Sequence, residues 1–186
     1  LVALAGASRA LRGYNDQLAD ECLATAKKVL ADEHGQPAEA NRQGSGFAGS
    51  GEMEAALQLF ICTKETQFAD RFKELFWPAM ERSFLMNMKL AALAVPYMDK
   101  AFKEKLRPYV EKFKTANDDL FKLNPFGVTI ATGGWGGNEG IINWAITNYF
   151  LHKTFPDIIG PEYTLRGINY IFGCHPSTNV SFVSGV

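Results

Sequence analysis

Apolar residues recur every three or four positions along most of this chain, the spacing that gathers them on one face of a helix. The clearest case is 100–123, where Phe102, Leu106, Tyr109, Phe113, Ala116 and Leu120 form one stripe. Pro108 is expected to divide that element in two. Leu1–Leu11 reads as a helix closed by Gly13, and Asp16 is expected to cap the next one. That second helix carries Leu18, Cys22, Ala26 and Val29 on one face and runs as far as Glu33. Residues 34–51, rich in Gly, Ser, Gln and Asn, read as a polar loop. Glu52–Thr63 is expected to be helical, with Ala56, Leu59 and Phe60 on a common face. Gln67–Trp77 reads as a short helix, and Pro78 fits the first turn of another running through Met80–Val95 to Pro96. A Gly-rich loop over 124–137 leads to a helix from Glu139 to Phe155, capped by Asn138 or its neighbour. Pro161–Phe172 is the last predicted helix, ended by Gly173, and Val180–Val183 reads as extended chain.

Two segments lack a polar face. Ile141–Leu151 and Leu90–Val95 with its flanks are apolar almost all round, which normally means burial on every side. Buried helices alternating with amphipathic ones suggest an inner and an outer layer; a plain helical bundle accounts for the same pattern. No internal repeat occurs at the periods of helical solenoids.

Composition narrows the function classes. The chain has 186 residues, a net charge of −1 and 47% hydrophobic content. It has enough apolar material for a core and no basic footprint for nucleic acid or an anionic membrane. The richest apolar stretch, Leu85–Val95, is shorter than the roughly 20 residues a membrane span needs and contains Lys89. Cys22, Cys62 and Cys174 show no CxxC or other metal spacing, so a metal site is not expected. Cys62 sits in an apolar run and reads as a small core residue. Leu1–Ala5 already lies inside a helical pattern and Gly185-Val186 follows directly on the extended run, so the chain is expected to be cut at both ends.

Three segments carry a resemblance to a known family. The first is Tyr170-Ile171-Phe172-Gly173-Cys174-His175-Pro176 followed by Ser181-Phe182-Val183-Ser184-Gly185. It is similar to the Tyr-x-Leu-Gly-x-Asn-Pro and Ser-Tyr-Val-x-Gly run of glycoside hydrolase family 9, with His175 where the family usually has Asn. The second, Asn124-Pro125-Phe126-Gly127-Val128 followed by Gly134-Trp135-Gly136-Gly137-Asn138, resembles that family's Pro-Tyr/Phe-Gly-Val loop and Trp-Gly-x-Asn turn. The third, Ala55–Thr63 with Phe68-Ala69-Asp70, resembles one of its helix–turn–helix units. The segments occur in the family's order along nearly the whole chain.

The resemblance implies an all-α fold that is part of an (α/α)6 barrel, an incomplete toroid of inner and outer helices. It makes residues 1–186 the middle portion of a longer glycoside hydrolase catalytic domain. On that reading the apolar faces of Leu1–Leu11 and of the inner helices are expected to be exposed. Family 9 enzymes are inverting hydrolases, which need a carboxylate base and a carboxylic acid roughly 6.5–9.5 Å apart on opposite faces of the sugar. The family's base lies in an Asp-Ala-Gly-Asp motif and its acid is a Glu beyond a His-x-Arg loop; neither motif occurs here, so no catalytic residue is assigned. Asp118 and Asp119 read as a solvated helix face.

The residues expected to bind substrate are Trp135, Gly136, Asn138, Glu139, Glu52 and His175. A planar indole flanked by glycines can lie flat on the C–H face of a sugar ring, and the resemblance puts Trp135 on the cleft floor; packing of a loop is the alternative role. Asn138 can bond a hydroxyl or cap its helix. Glu139 stands where some family members carry a basic residue, and an acid there suits an amine-bearing sugar. Glu52 follows a Gly-rich loop that could border the cleft, and His175 fits a structural role at a helix end as well as a binding one. The expected partners are an oligo- or polysaccharide and the remainder of the catalytic domain, with no cofactor, nucleic acid or membrane span. The resemblance implies secretion or a periplasmic location. The leading expectation is an endoglucanase-like β-glycan hydrolase. The alternatives are an exo-acting β-glucosidase or glucosaminidase of the same family and a non-catalytic helical module that binds glycan or protein.

Overall fold

The helical spacing is realised in α1 (Val2–Leu11), α2 (Asp16–His34), α3 (Ala48–Thr63), α4 (Thr66–Arg82), α5 (Phe84–Ala94), α6 (Lys100–Leu123), α7 (Gly137–Thr154) and α8 (Glu162–Ile171). The structure, a computed structural model, describes residues 1–34, 48–130 and 137–173 together with Ser181 and Val183. Among these residues there is no strand, and no helix is long and apolar enough to cross a membrane. The chain divides into two units, Leu1–Arg82 and Ser83–Val186.

In the first unit α3 packs against α1, α2 and α4. Met53, Ala55, Ala56, Leu57, Leu59 and Ile61 are all buried, on more than one side of α3. Its neighbours approach closely because Ala5, Ala19 and Ala26 present no bulk at the contacts. Arg9 Nη1 donates to Gln58 Oε1 at 2.8 Å and Cys62 Sγ donates to the Ala5 carbonyl at 3.2 Å, tying α1 to α3. The buried face of α2 is Ala19, Ala26 and Leu30, flanked by Leu23, whereas Leu18 is exposed. The face is thus rotated by about one residue from the one the larger side chains suggested. Asn15, not Asp16, caps α2: its Oδ1 accepts from the Leu18 N–H at 3.1 Å, while Asp16 Oδ1 accepts from the Gly13 N–H at 3.0 Å.

Both prolines expected to break helices lie inside continuous ones, Pro78 in α4 and Pro108 in α6. An interior proline loses a backbone hydrogen bond and costs about 3 kcal/mol. Each sits on the exposed side between deeply buried residues: Phe76 and Met80 flank Pro78, and Leu106 and Val110 flank Pro108. Burying one such side chain contributes about 1.5–3 kcal/mol, so the pair offsets the loss. Phe72 and Phe76 also stack, 4.9 Å between ring centroids. The break comes at Ser83, extended at φ −157°.

In the second unit α7 packs against α5 and α8, and α5 against α6. Asp99 opens α6 by accepting from the Phe102 N–H at 2.8 Å. The buried stripe of α6 is Phe102, Leu106, Val110, Phe113 and Asn117, with Tyr109, Ala116 and Leu120 half-buried beside it. Residues 91, 92, 94 and 95 of the predicted buried segment are buried, but α7 is buried on one side only: Ile142, Ile146 and Tyr149 are exposed. Helices α7 and α8 cross closely at Gly167, where a Cβ would meet the Ala145 Cβ at 2.8 Å. The leucines of α1 are half-buried, so the exposure expected of apolar faces is seen on α7 rather than on α1.

Candidate functional site

The strongest local motif folds into a knotted turn. Past the end of α6, Asn124 Nδ2 donates to the Val128 carbonyl at 2.8 Å, and its Oδ1 accepts from the Phe126 N–H at 3.1 Å and the Val128 N–H at 3.4 Å. Gly127 adopts φ +61° with the Phe121 ring 2.7 Å from where a Cβ would sit, so only glycine fits. Phe126 meets Tyr170 of α8 edge-on at 5.3 Å. The Asn-Pro-Phe-Gly-Val sequence therefore fixes how the chain leaves α6 and anchors the turn to α8.

Trp135, Gly136 and His175 lie outside the described residues. The structure resumes at α7, whose first turn contains Gly137, Asn138, Glu139 and Gly140. Asn138 is half-buried and Glu139 exposed. A Cβ at Gly140 would meet nothing within 4 Å, so the turn borders open space. Asn138 lies within the first turn rather than ahead of it, so its amide is not the helix cap. Glu139 Oε1 accepts from Asn143 Nδ2 at 3.3 Å and faces solvent. The N–H groups of a helix's first turn can donate to hydroxyl oxygens and a carboxylate can accept from hydroxyls; they do not make an acid–base pair.

Two polar clusters tie the helices of this unit, one between α6 and α7 and one between α6 and α8, and both were missed from the sequence. Asn117 Nδ2 donates to Asn148 Oδ1 at 2.8 Å, Trp144 Nε1 donates to Asn117 Oδ1 at 2.8 Å, and Asn148 Nδ2 donates to the Trp144 carbonyl at 2.9 Å. All three residues are buried, and a satisfied buried network fixes one packing arrangement. The position of Asn117, four residues after Phe113 on α6, hints at burial but does not name its partners.

The second cluster centres on Asp118, which accepts from Tyr163 Oη at 2.5 Å and from Lys114 Nζ at 2.6 Å. Burial pushes its carboxyl up, but those two hydrogen bonds and the Lys114 and Arg166 charges outweigh this and hold it below the usual carboxylate value. Burial and then the bond to Asp118 push the Tyr163 phenol up. The Arg166 guanidinium lies over Phe121 at 4.2 Å and Tyr163 at 5.0 Å. Asp118 is thus a tie between α6 and α8 rather than part of a plain solvated face.

Glu52 belongs to the first unit. Its Oε1 accepts from Arg71 Nε at 2.9 Å and Nη2 at 2.7 Å, while Arg71 Nη1 donates to Glu74. Burial alone would lower Arg71, yet its bonds to Glu74 and Glu52 raise it overall. Arg71, Lys27 and Phe68 line a groove of about 350 Å3. Trp144 is core, as its sequence context indicated, and Trp77 is half-buried with its ring edge-on to Phe76 at 5.1 Å.

Comparison with known proteins decides what this helical arrangement is. The sequence profile of glycosyl hydrolase family 9 matches residues 2–186. The chain belongs to that family. A solved structure described as a metagenome-derived glycoside hydrolase family 9 endoglucanase superposes with a TM-score of 0.67 at 19% identity. The superposition covers 100% of this chain and 37% of that one, so the chain spans little more than a third of its length. At this identity the likeness speaks for the fold, and the all-helical architecture is that of part of the family 9 (α/α)6 barrel. A search of curated proteins gives no match.

Proposed function

We propose that this chain is part of an inverting, endoglucanase-like β-glycan hydrolase, supplying part of the substrate cleft while the catalytic acid and base come from other parts of the protein. The observation that carries the reading is the family 9 match over residues 2–186. The relative with the endoglucanase description supports it through the shared fold. On this reading Trp135 lies flat against a sugar ring, with Gly136 giving the chain close approach. Asn138 and Glu139, at the open first turn of α7, bond hydroxyls. Glu52 shapes its surroundings through Arg71, and His175 closes the end of the last helix. Glu52 is paired with Arg71 and Asp118 with Lys114 and the Tyr163 phenol, so neither serves in this reading as the free acid or base of an inverting pair. A polymeric β-glycan does not enter cells, so we infer that the protein acts after secretion or in a periplasm.

The test is the Trp135→Ala variant of the protein encoded by the whole gene. Its kcat/KM on cello-oligosaccharides falls about tenfold or more, the equivalent of about 1.4 kcal/mol of lost transition-state binding. Unchanged kinetics on every chain length removes Trp135 from the cleft. An exo-acting glucosaminidase is a second reading, favoured by the exposed Glu139. It predicts cleavage of chitosan oligomers that weakens in Glu139→Gln, whereas cleavage of cello-oligosaccharides alone rejects it. A whole-gene protein that binds glycan without cleaving it would instead be the non-catalytic module.

A further inference from the structure

One asparagine side chain fixes where α7 lies along its own axis. Asn117 Oδ1 accepts from Trp144 Nε1 and Asn117 Nδ2 donates to Asn148 Oδ1, both at 2.8 Å. Residues 144 and 148 stand four apart on one face of α7, so the single amide of Asn117 spans a full turn of that helix. Asn148 Nδ2 donates to the Trp144 carbonyl at 2.9 Å, which leaves its Oδ1 as the acceptor for Asn117. We propose that Asn117 is a positioning residue for glycan binding. Through Trp144 and Asn148 it holds the first turn of α7 at the height where Asn138 and Glu139 bond the sugar. The inference rests on the substrate-binding role proposed above for that turn.

Stability alone does not call for an amide here. Asn117 follows Phe113 on the buried stripe of α6, and apolar side chains of matching shape in place of the polar ones would hold the helices about as firmly. What the amide adds is direction. Apolar contact is non-directional, so packing against α5 and α8 restrains sliding and rotation of α7 less sharply than it restrains separation. Ile142, Ile146 and Tyr149 on the other side of α7 are exposed. A hydrogen bond weakens steeply once its angle falls below about 120°, so a slide or a twist of α7 breaks both bonds to Asn117 together. Asn117, Trp144 and Asn148 are 2%, 6% and 0% exposed, and a bond broken at such depth is not replaced by solvent. The reference point is itself held. Asp118, the next residue of α6, accepts from Tyr163 of α8 at 2.5 Å, and the Asn124 turn joins the end of α6 to α8 through Phe126 and Tyr170. Asn138 lies about 9 Å before Trp144 along the helix. A helix moves as a rod over that length, so a displacement at Trp144 reaches Asn138 and Glu139 undiminished.

The test uses the protein encoded by the whole gene, with cello-oligosaccharides as substrate, well below the unfolding midpoint of each variant. Asn117→Asp keeps the acceptor for Trp144 and loses the donor to Asn148; Trp144→Phe keeps a ring and loses the donor to Asn117. Each is expected to raise KM about tenfold with kcat little changed, the loss of one well-formed hydrogen bond to substrate. A background variant carries Asn138→Ala and Glu139→Ala together. In that background the same two substitutions are expected to add less than about twofold, because the groups being positioned are gone. Effects on KM that multiply in full in the combined variants overturn the inference, as does a lowered unfolding midpoint with KM unchanged. If Asn117→Asp fails to fold, Trp144→Phe decides by the same comparison. The background variant tells the two readings apart. Unchanged KM there defeats the substrate-binding role of the turn and this inference with it. A raised KM there, with KM unchanged in Asn117→Asp and Trp144→Phe, defeats this inference alone.

Discussion

Helices α3 and α7 both carry long apolar runs, yet they end in different surroundings. Helix α3 meets α1, α2 and α4, and its large side chains at 53, 57, 59 and 61 are buried. Helix α7 meets α5 and α8 and buries Ile141, Trp144, Ala145 and Leu151, while Ile142, Ile146 and Tyr149 stay in solvent. The same kind of sequence is thus satisfied within the chain in one case and only half satisfied in the other. What distinguishes them is that the neighbours of α3 cover its large apolar side chains, whereas one side of α7 is left in solvent. On its buried side α7 is held by packing and by its hydrogen bonds with Asn117 of α6.

This contrast can be broken at graded strengths. The largest effect in the 186-residue chain is expected from Leu59→Ala in α3, which empties a fully buried site and should cost about 2–5 kcal/mol in urea unfolding. A loss under 1 kcal/mol would mean that α3 is not the buried element of its unit. Next comes Gly167→Ala, which sets a Cβ 2.8 Å from that of Ala145 and should destabilise by about 1–3 kcal/mol through overpacking. Neutral stability there would show that α7 and α8 cross less closely. Ile146→Ala on the exposed side of α7 should stay within about 0.5 kcal/mol of the parent in the same assay. A cost like that of Leu59→Ala would erase the difference between the two helices.

The smallest effect concerns pH. The Asp118 carboxyl is held below its ordinary value, so its contribution is fully present above the unfolded value of about 4 and is lost as pH falls through the folded one. Because the group is half exposed, solvent screening keeps the contribution small. Asp118→Asn should flatten the acid limb of the unfolding midpoint without altering it at neutral pH beyond a modest fixed offset. An unchanged acid limb would mean that the Tyr163 tie does not depend on charge.

Much of the fold was legible because periodicity survives in the sequence. Helices α1, α6 and α8 appear where their apolar stripes predicted, and Gly13 and Gly173 end helices at positive φ. The misreadings share a physical cause. Pro78 and Pro108 carry strong local penalties, and the flanking core residues that offset them are recognisable as core only once the helix is assumed. The face of α2 was misjudged because Ala19 is buried but looks uninformative beside Leu18 and Cys22, although Ala26 was placed on the right side. At the candidate site, the Asn124 turn was legible as a motif because its residue types are demanded by its hydrogen bonds and by the positive φ of Gly127. The Asn117–Trp144–Asn148 network was not, since a buried asparagine is indistinguishable from a solvated one until its partners on another helix are known. Glu139 was placed correctly on the helix that follows the Trp-Gly motif, whereas Asn138, expected ahead of that helix as a cap, lies within its first turn.

The central claim is that these residues build part of a family 9 cleft without the groups that do the chemistry. It is tested most directly by incubating cello-oligosaccharides with the purified 186-residue chain and, separately, with the protein encoded by the whole gene, and measuring new reducing ends. The account predicts release by the whole-gene protein and none above buffer by the 186-residue chain. Steady hydrolysis by the 186-residue chain itself would contradict it.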